Sequence, residues 1–191
     1  MDTVQPIRDI RKIEAVKKVL LGSANGTRNH LLFVLGINSG LRISDLLNLS
    51  VGDVVNDQGN IKAAITLREQ KTGKEKSFPL NINAVKAISL HIKTIPQNDL
   101  IAPLFASRKG NKPISRVQAW EILNRAAEDV GITEATGTHS LRKTFGYHAF
   151  KAGIGIERLQ TILNHSSPAI TLRYIGITQD DINDVYLKLN L

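Results

Sequence analysis

Thr138-His139-Ser140-Leu141-Arg142-Lys143-Thr144-Phe145-Gly146, followed farther on by Leu163-Asn164-His165-Ser166-Ser167-Pro168-Ala169-Ile170-Thr171-Leu172-Arg173-Tyr174, is the stretch on which the rest of the chain is organised. His139 and Arg142 stand three apart, so a helical turn sets them on one face. Thr138 is read as the cap of that helix, which places both in its first turn, where backbone N–H groups and the helix dipole favour anions. His165 sits in a turn between two helices, and Tyr174 comes nine residues later, near the end of the second. Two imidazoles, a guanidinium and a phenol gathered by stacked helices are suited to holding a phosphodiester while a hydroxyl attacks it.

Outward from that stretch the chain reads as mostly helical. Apolar residues at helical spacing predict a helix over 7–21, broken by Asn25-Gly26. Thr27 is read as the cap of a second helix over 28–37, apolar nearly all round and therefore buried. Ser39-Gly40 ends it, and a third helix over 43–49 follows with Ser44 as its cap. Residues 51–55 and 61–67 read as strands joined by the turn-rich Asn56-Asp57-Gln58-Gly59-Asn60. A second turn, Lys71-Thr72-Gly73-Lys74, leads to a third strand at Ser77-Phe78-Pro79-Leu80, with Pro79 marking an edge or an end. Asn81 or Asn83 caps a helix to 95, and Ser115 caps another to 130, closed by Gly131. Helices are then expected over 138–152, 156–164, 168–174 and 180–189. The fold class is α+β, mostly α-helical, with a small three-stranded antiparallel sheet in the first half.

A length of 191 residues, 42% of them hydrophobic, suffices for one domain with its own core. The chain has no Cys, which removes disulfides, thiolate metal sites and cysteine nucleophiles together. The opening Met-Asp-Thr-Val-Gln-Pro carries no apolar signal core and no run approaches membrane-spanning length, so a cytoplasmic protein is expected. Twenty-five Lys and Arg against seventeen Asp and Glu leave a net charge of +8, a balance that favours a polyanionic partner. His165 has no acidic residue at ligand spacing and no His-x-x-x-His pair exists, so no metal is expected.

Other residues are ambiguous singly. Arg42, in Ser39-Gly40-Leu41-Arg42-Ile43-Ser44-Asp45, either pairs on the surface with Asp45 or aims across a cleft at two phosphate oxygens. Lys71, where two strands turn back, is either solvated or carried on its hairpin into a DNA groove, and Lys74 and Lys76 nearby leave the choice open. Tyr147 and Tyr186 read as packing. Tyr174 is a weak nucleophile with a pKa of about 10, which surrounding cations are expected to lower.

Five motifs in order, Gly40-Leu41-Arg42-Ile43-Ser44-Asp45-Leu46, Lys71-Thr72-Gly73 before Phe78-Pro79-Leu80, His139-Ser140-Leu141-Arg142, Leu163-Asn164-His165-Ser166 and Thr171-Leu172-Arg173-Tyr174, resemble the catalytic domain of the tyrosine recombinases of phages and transposons. The likeness spans nearly the whole chain. It implies that Arg42, Lys71, His139, Arg142 and His165 form the catalytic pocket, that Tyr174 is the nucleophile, and that Asp45 supports the pocket. It implies site-specific cleavage and rejoining of double-stranded DNA through a 3′-phosphotyrosyl link, without metal, other cofactor or ATP. Arg108, Lys109 and Lys112 in a basic loop, with Lys74, Lys143 and Arg173, are then expected to meet the DNA. A homotetramer on DNA, a monomer when free and an accessory DNA-bending protein fit the same pattern, and the tail 177–191 is expected to dock on a neighbouring subunit. Family members usually carry a helical DNA-clamping domain ahead of this region, whereas only residues 1–6 precede it here, as a linker remnant. A relaxing topoisomerase or a non-catalytic DNA-binding domain would share much of the pattern.

Overall fold

The computed structural model describes residues 4–95, 99–108 and 112–189. Its elements run α1 (Ile10–Gly22), α2 (Gly26–Ser39), α3 (Ile43–Leu47), α4 (Val51–Val54), β1 (Ala64–Arg68), β2 (Glu75–Pro79), α5 (Ile82–Ile92), α6 (Arg116–Asp129), α7 (Thr138–Lys151), α8 (Ile156–Leu163), α9 (Pro168–Ile175) and α10 (Gln179–Lys188). Helix α2 is the axis. Leu31, Leu32, Phe33, Val34 and Leu35 are all 2% exposed or less, as its apolar circumference requires, and α1, α5 and α7 pack around it.

The sheet has two strands among the described residues, not three. β1 and β2 pair antiparallel, with Ile65 opposite Phe78 and Leu67 opposite Lys76. The expected strand over 51–55 is the single helical turn α4. Ser50 and Asp53 form a capping box there: the Asp53 carboxylate accepts from the Ser50 backbone N–H at 2.8 Å. That reciprocal cap overrides the strand preference of three valines. Only an isolated bridge between Val55 and Ile61 remains of the expected pairing.

Helix starts in the first half also differ from expectation. Ser115 caps α6 with Gln118 and Asn81 caps α5 by accepting from Ala84 N, both as expected. Thr27, however, lies inside α2, which starts from Asn25 in the left-handed region, and Ser44 lies inside α3, whose N-cap is Arg42.

Two apolar clusters divide the molecule. The large one unites α1 to α6 with Leu141 of α7. The small one contains Leu159, Leu163 and Ile175, with Phe145, Phe150 and Tyr174 partly buried against it. Helix α7 belongs to both, and the candidate site lies where they meet.

Candidate active site

Helix α7 begins at Thr138, with Gly137 rather than Thr138 as its N-cap; the Ser140 hydroxyl accepts from the Gly137 N–H at 3.2 Å and donates to the Gln5 carbonyl at 2.7 Å. His139 and Arg142 therefore occupy the first turn, as their spacing predicts. Their fates differ. His139 stays exposed, its imidazole pushed below the usual range by partial desolvation and by the charges of Arg116, Arg142 and Lys143. Arg142 is 3% exposed. Its Nη1 donates to the Gly40 carbonyl and its Nη2 to the Leu163 carbonyl, so one side chain ties the C-terminal ends of α2 and α8 together. Gly40 makes this possible. It takes φ +61°, and a Cβ there would stand 2.6 Å from the Phe145 ring.

Arg42 enters the same volume from the start of α3. Its Nη1 lies 3.0 Å from Glu69 Oε1 and 4.0 Å from Asp45 Oδ2, at ion-pair distance but without hydrogen-bond alignment to either. The bland expectation of a surface pair with Asp45 is thus replaced by a mostly buried guanidinium held between two carboxylates. Asp45 is 3% exposed, and its Oδ1 accepts from the Gln70 backbone N–H at 2.9 Å, which fixes the entry to the hairpin turn. Burial pushes the Glu69 carboxyl up, but the Thr72 hydroxyl and the charges of Arg42 and Lys76 outweigh it and leave the group below its ordinary value.

The hairpin sorts its lysines by strand alternation. Lys71, expected in the pocket, is exposed on the turn and makes no hydrogen bond or ion pair with any described residue. Lys76, which the motifs do not single out, faces inward instead. Its Nζ donates to the Ile162 carbonyl at 3.1 Å. Desolvation, then the Arg142 and Arg42 charges, opposed by Glu69 and Asp45, lower its pKa to about 8. A period of two from the apolar anchor Phe78 is the signal in the sequence that points to Lys76.

The last side of the pocket is the α8–α9 corner. Asn164 takes the left-handed conformation at the end of α8, and Ser167 caps α9 with Pro168 in its first turn. This corner aims His165 inward, with its Nδ1 3.1 Å from Thr171 Oγ1 and its ring edge-on to Tyr174 at 4.8 Å between centroids. Burial and the charges of Arg142 and Arg42 keep His165 below its usual pKa. The Tyr174 phenol is shifted up, contrary to expectation: burial raises it more than Arg142 and Arg42 lower it. In the absence of a substrate this phenol is a proton-bearing group.

Among the residues expected on DNA, Lys74, Arg108, Lys112 and Arg173 are exposed, and Lys109 lies outside the described residues. Lys143 is not on an open face. It is 7% exposed, donates to the Val4 carbonyl at 2.7 Å and stands 5.4 Å from the Tyr174 ring centre. The structure thus brings together Arg42, Arg142, His165 and Tyr174, sets His139 beside Arg142, adds Lys76 and Glu69, and leaves Lys71 outside.

Comparison with known proteins identifies the family. Residues 9–180 match the phage integrase family. The chain is 45% identical to the probable integrase/recombinase YoeC of Bacillus subtilis, over 97% of each chain. It is 28% identical to the tyrosine recombinase XerC of Pelobacter propionicus, covering 85% of this chain and 52% of that one. In fold it is similar to the XerA recombinase, with a TM-score of 0.75 over 99% of this chain and 67% of that one. It is also similar to the catalytic domain of bacteriophage HP1 integrase, at 0.62 over 99% and 97%. The chain belongs to the phage integrase family, and with it to the tyrosine recombinases, enzymes that break and rejoin DNA.

Proposed function

We propose that this chain carries out site-specific recombination of double-stranded DNA, with Tyr174 as the nucleophile. The observation that carries the reading is the convergence, within one chain, of the Tyr174 phenol on the buried Arg142 guanidinium, the mostly buried Arg42 guanidinium and the His165 imidazole. The Tyr174 oxygen attacks a backbone phosphorus and forms a 3′-phosphotyrosyl bond, while the bond to the 5′ oxygen breaks. The phenolic proton leaves by way of His139, whose lowered pKa makes it a base near neutral pH. Arg42 and Arg142 are already in place for the charge that grows on the non-bridging oxygens, which is where most of such rate gain arises. His165 joins them: its Nδ1 is paired with the Thr171 hydroxyl, which leaves Nε2 as the ring nitrogen for a phosphate oxygen. The phosphotyrosyl bond conserves the energy of the broken one, so a 5′-hydroxyl from a partner strand can reverse the step.

The DNA runs over the exposed cations Lys74, Arg108, Lys112 and Arg173, and Lys71 reaches toward its groove from the hairpin tip. A related fold, that of the Tn1549 transposon integrase, is known in complex with transposon right-end DNA. The active assembly is a tetramer on two duplexes, and the tail reaches a neighbouring subunit. In α10 and just past its end, Tyr186, Leu187 and Leu189 are 79%, 80% and 64% exposed, an apolar edge available to another protomer.

The test is incubation with a nicked suicide duplex carrying the cognate site, read on a denaturing gel. The wild-type chain is expected to form a covalent protein–DNA adduct, and Tyr174→Phe to form none while binding the duplex equally well. Equal adduct from both would remove Tyr174 from the chemistry.

A further inference from the structure

We infer that Lys143, expected on DNA, is instead a positioning residue that holds the face of the Tyr174 ring and ties it to the segment 4–8. The inference rests on the recombinase reading above and deepens it.

Ser140, Lys143, Thr144, Tyr147 and His148 recur at helical spacing, so they share one face of α7. Residues 4–8 lie along that face as a strap. The Gln5 N–H donates to the Ala135 carbonyl at 2.9 Å, the Ile7 N–H donates to the Thr144 hydroxyl at 2.9 Å, and the Ile7 carbonyl lies 2.9 Å from His148 Nε2. With the Ser140 bond to the Gln5 carbonyl, these contacts fasten the strap without help from Lys143. The strap also reaches the helix of the nucleophile. Arg8 Nη2 donates to the carbonyl of Gly176, the C-cap of α9, at 2.9 Å. Gly176 takes φ +76°, and a Cβ there would stand 3.2 Å from Pro6 Cδ, so strap and helix end are in close contact.

Lys143 is the member of this face that packing does not explain. It is buried, no carboxylate pairs with it among the described residues, and desolvation lowers its pKa. An ammonium is expensive to bury without a counter-charge, and a methionine would fill a similar volume without that cost. What the charge meets is the Tyr174 ring, whose centre is 5.4 Å from Nζ, within the range at which an aromatic face attracts a cation. The phenol is then held at its hydroxyl by Arg142, edge-on by His165 and over its face by Lys143. Of these contacts the last leads back to the strap, through the 2.7 Å bond from Nζ to the Val4 carbonyl. Attack requires the phenolic oxygen in line with the phosphorus, and Lys143 limits the tilt of the ring that carries it.

Adduct formation on the suicide duplex at saturating protein, with DNA affinity measured over a range of salt, tests this. Lys143→Met is expected to slow the adduct about tenfold, with affinity and its salt dependence unchanged. Loss of a phosphate contact would instead weaken binding and flatten the salt dependence by about one log unit per log salt. Lys143→Arg, which keeps a cation over the ring, should stay within about threefold of wild type. A double-mutant cycle separates the ring from the scaffold, and it decides the matter where the longer arginine disturbs the fold. A ring-difluorinated tyrosine at residue 174 has a less negative face and a more acidic phenol; the acidity is common to both backgrounds and cancels. Fluorination is expected to slow the wild-type chain about threefold more than Lys143→Met. An equal fluorine effect in both backgrounds, wild-type speed in Lys143→Met, or weaker binding with a flatter salt dependence would each overturn the inference. No adduct from the wild-type chain would overturn the recombinase reading itself, and this inference with it.

Discussion

The arginine side and the tyrosine side of the pocket are held to different degrees. Arg142 is sealed in the joint between α2, α7 and α8, with a carbonyl on each arm and the large core behind it. Tyr174 rides on α9, and the small cluster under it has three fully buried aliphatic side chains, Leu159, Leu163 and Ile175. Each contributes roughly 1.5–3 kcal/mol, less in sum than the conformational entropy lost in ordering two eight-residue helices. The difference is physically sensible. The groups that stabilise charge must be in place before the transition state forms, whereas the nucleophile must travel with the DNA end it has captured, and segments with little buried apolar area open most readily.

The comparison makes Arg142→Lys the variant with the largest expected effect. An ammonium reaches one carbonyl at a time, so either Gly40 or Leu163 is left buried and unpaired, at a cost of about 1–3 kcal/mol in stability. Cleavage is expected to fall by about 10²–10³-fold, the usual consequence of losing one fixed donor to a developing oxyanion. Thermal unfolding and the suicide-duplex assay measure the two effects separately. A variant with wild-type cleavage would show that the tight side of the pocket is structural only.

Gly146→Ala probes the looser side. A Cβ at residue 146 would stand 2.5 Å from Ile175 Cγ2, so α9 must move away from α7. Overpacking of this kind costs about 1–3 kcal/mol, here partly offset by the better helix propensity of alanine. Cleavage is expected to fall about tenfold, the equivalent of some 1.4 kcal/mol in the barrier, with DNA affinity unchanged. The melting temperature should fall only slightly, because the displaced helices lie outside the main core. A large loss of stability with full activity would reverse the ranking of the two sides.

The same contrast explains what the sequence discloses. Most helices are legible: α2 from its apolar circumference, α6 from Ser115 and Gln118, and α7 to α9 from helical spacing. Arg42, Arg142, His165 and Tyr174 are legible as a set because their motifs keep order and spacing. Three other features are not. Residues 51–55 look like a strand because β-branched residues dominate a short window, although Ser50 and Asp53 hold the signature of a cap. Motif position singles out Lys71, whereas only strand parity points to the inward-facing Lys76. Glu69 is joined to Arg42 only by the path of β1, a long-range contact that no local pattern encodes.

The smallest expected effect concerns the tail. Lys151 Nζ lies 2.7 Å from Asp181 Oδ1, and the Thr178 N–H and hydroxyl also donate to Asp181, which fastens the start of α10 to α7. Burial pushes the Asp181 carboxyl up, but the Lys151 and Thr178 hydrogen bonds and the Lys151 charge prevail and hold it at about 2. The folded state binds this proton less readily than the unfolded one, so the contribution is complete above about pH 4 and fades as pH falls toward 2. An ion pair with so exposed a lysine contributes about 0–1 kcal/mol. Asp181→Asn should therefore leave the melting temperature within about 2 °C at pH 7, while raising the rate of proteolytic cutting after Thr178 by up to about fivefold. Unequal rates at pH 7 that converge near pH 2 would identify the anchor as electrostatic. Equal rates throughout would mean that α10 is held by packing instead.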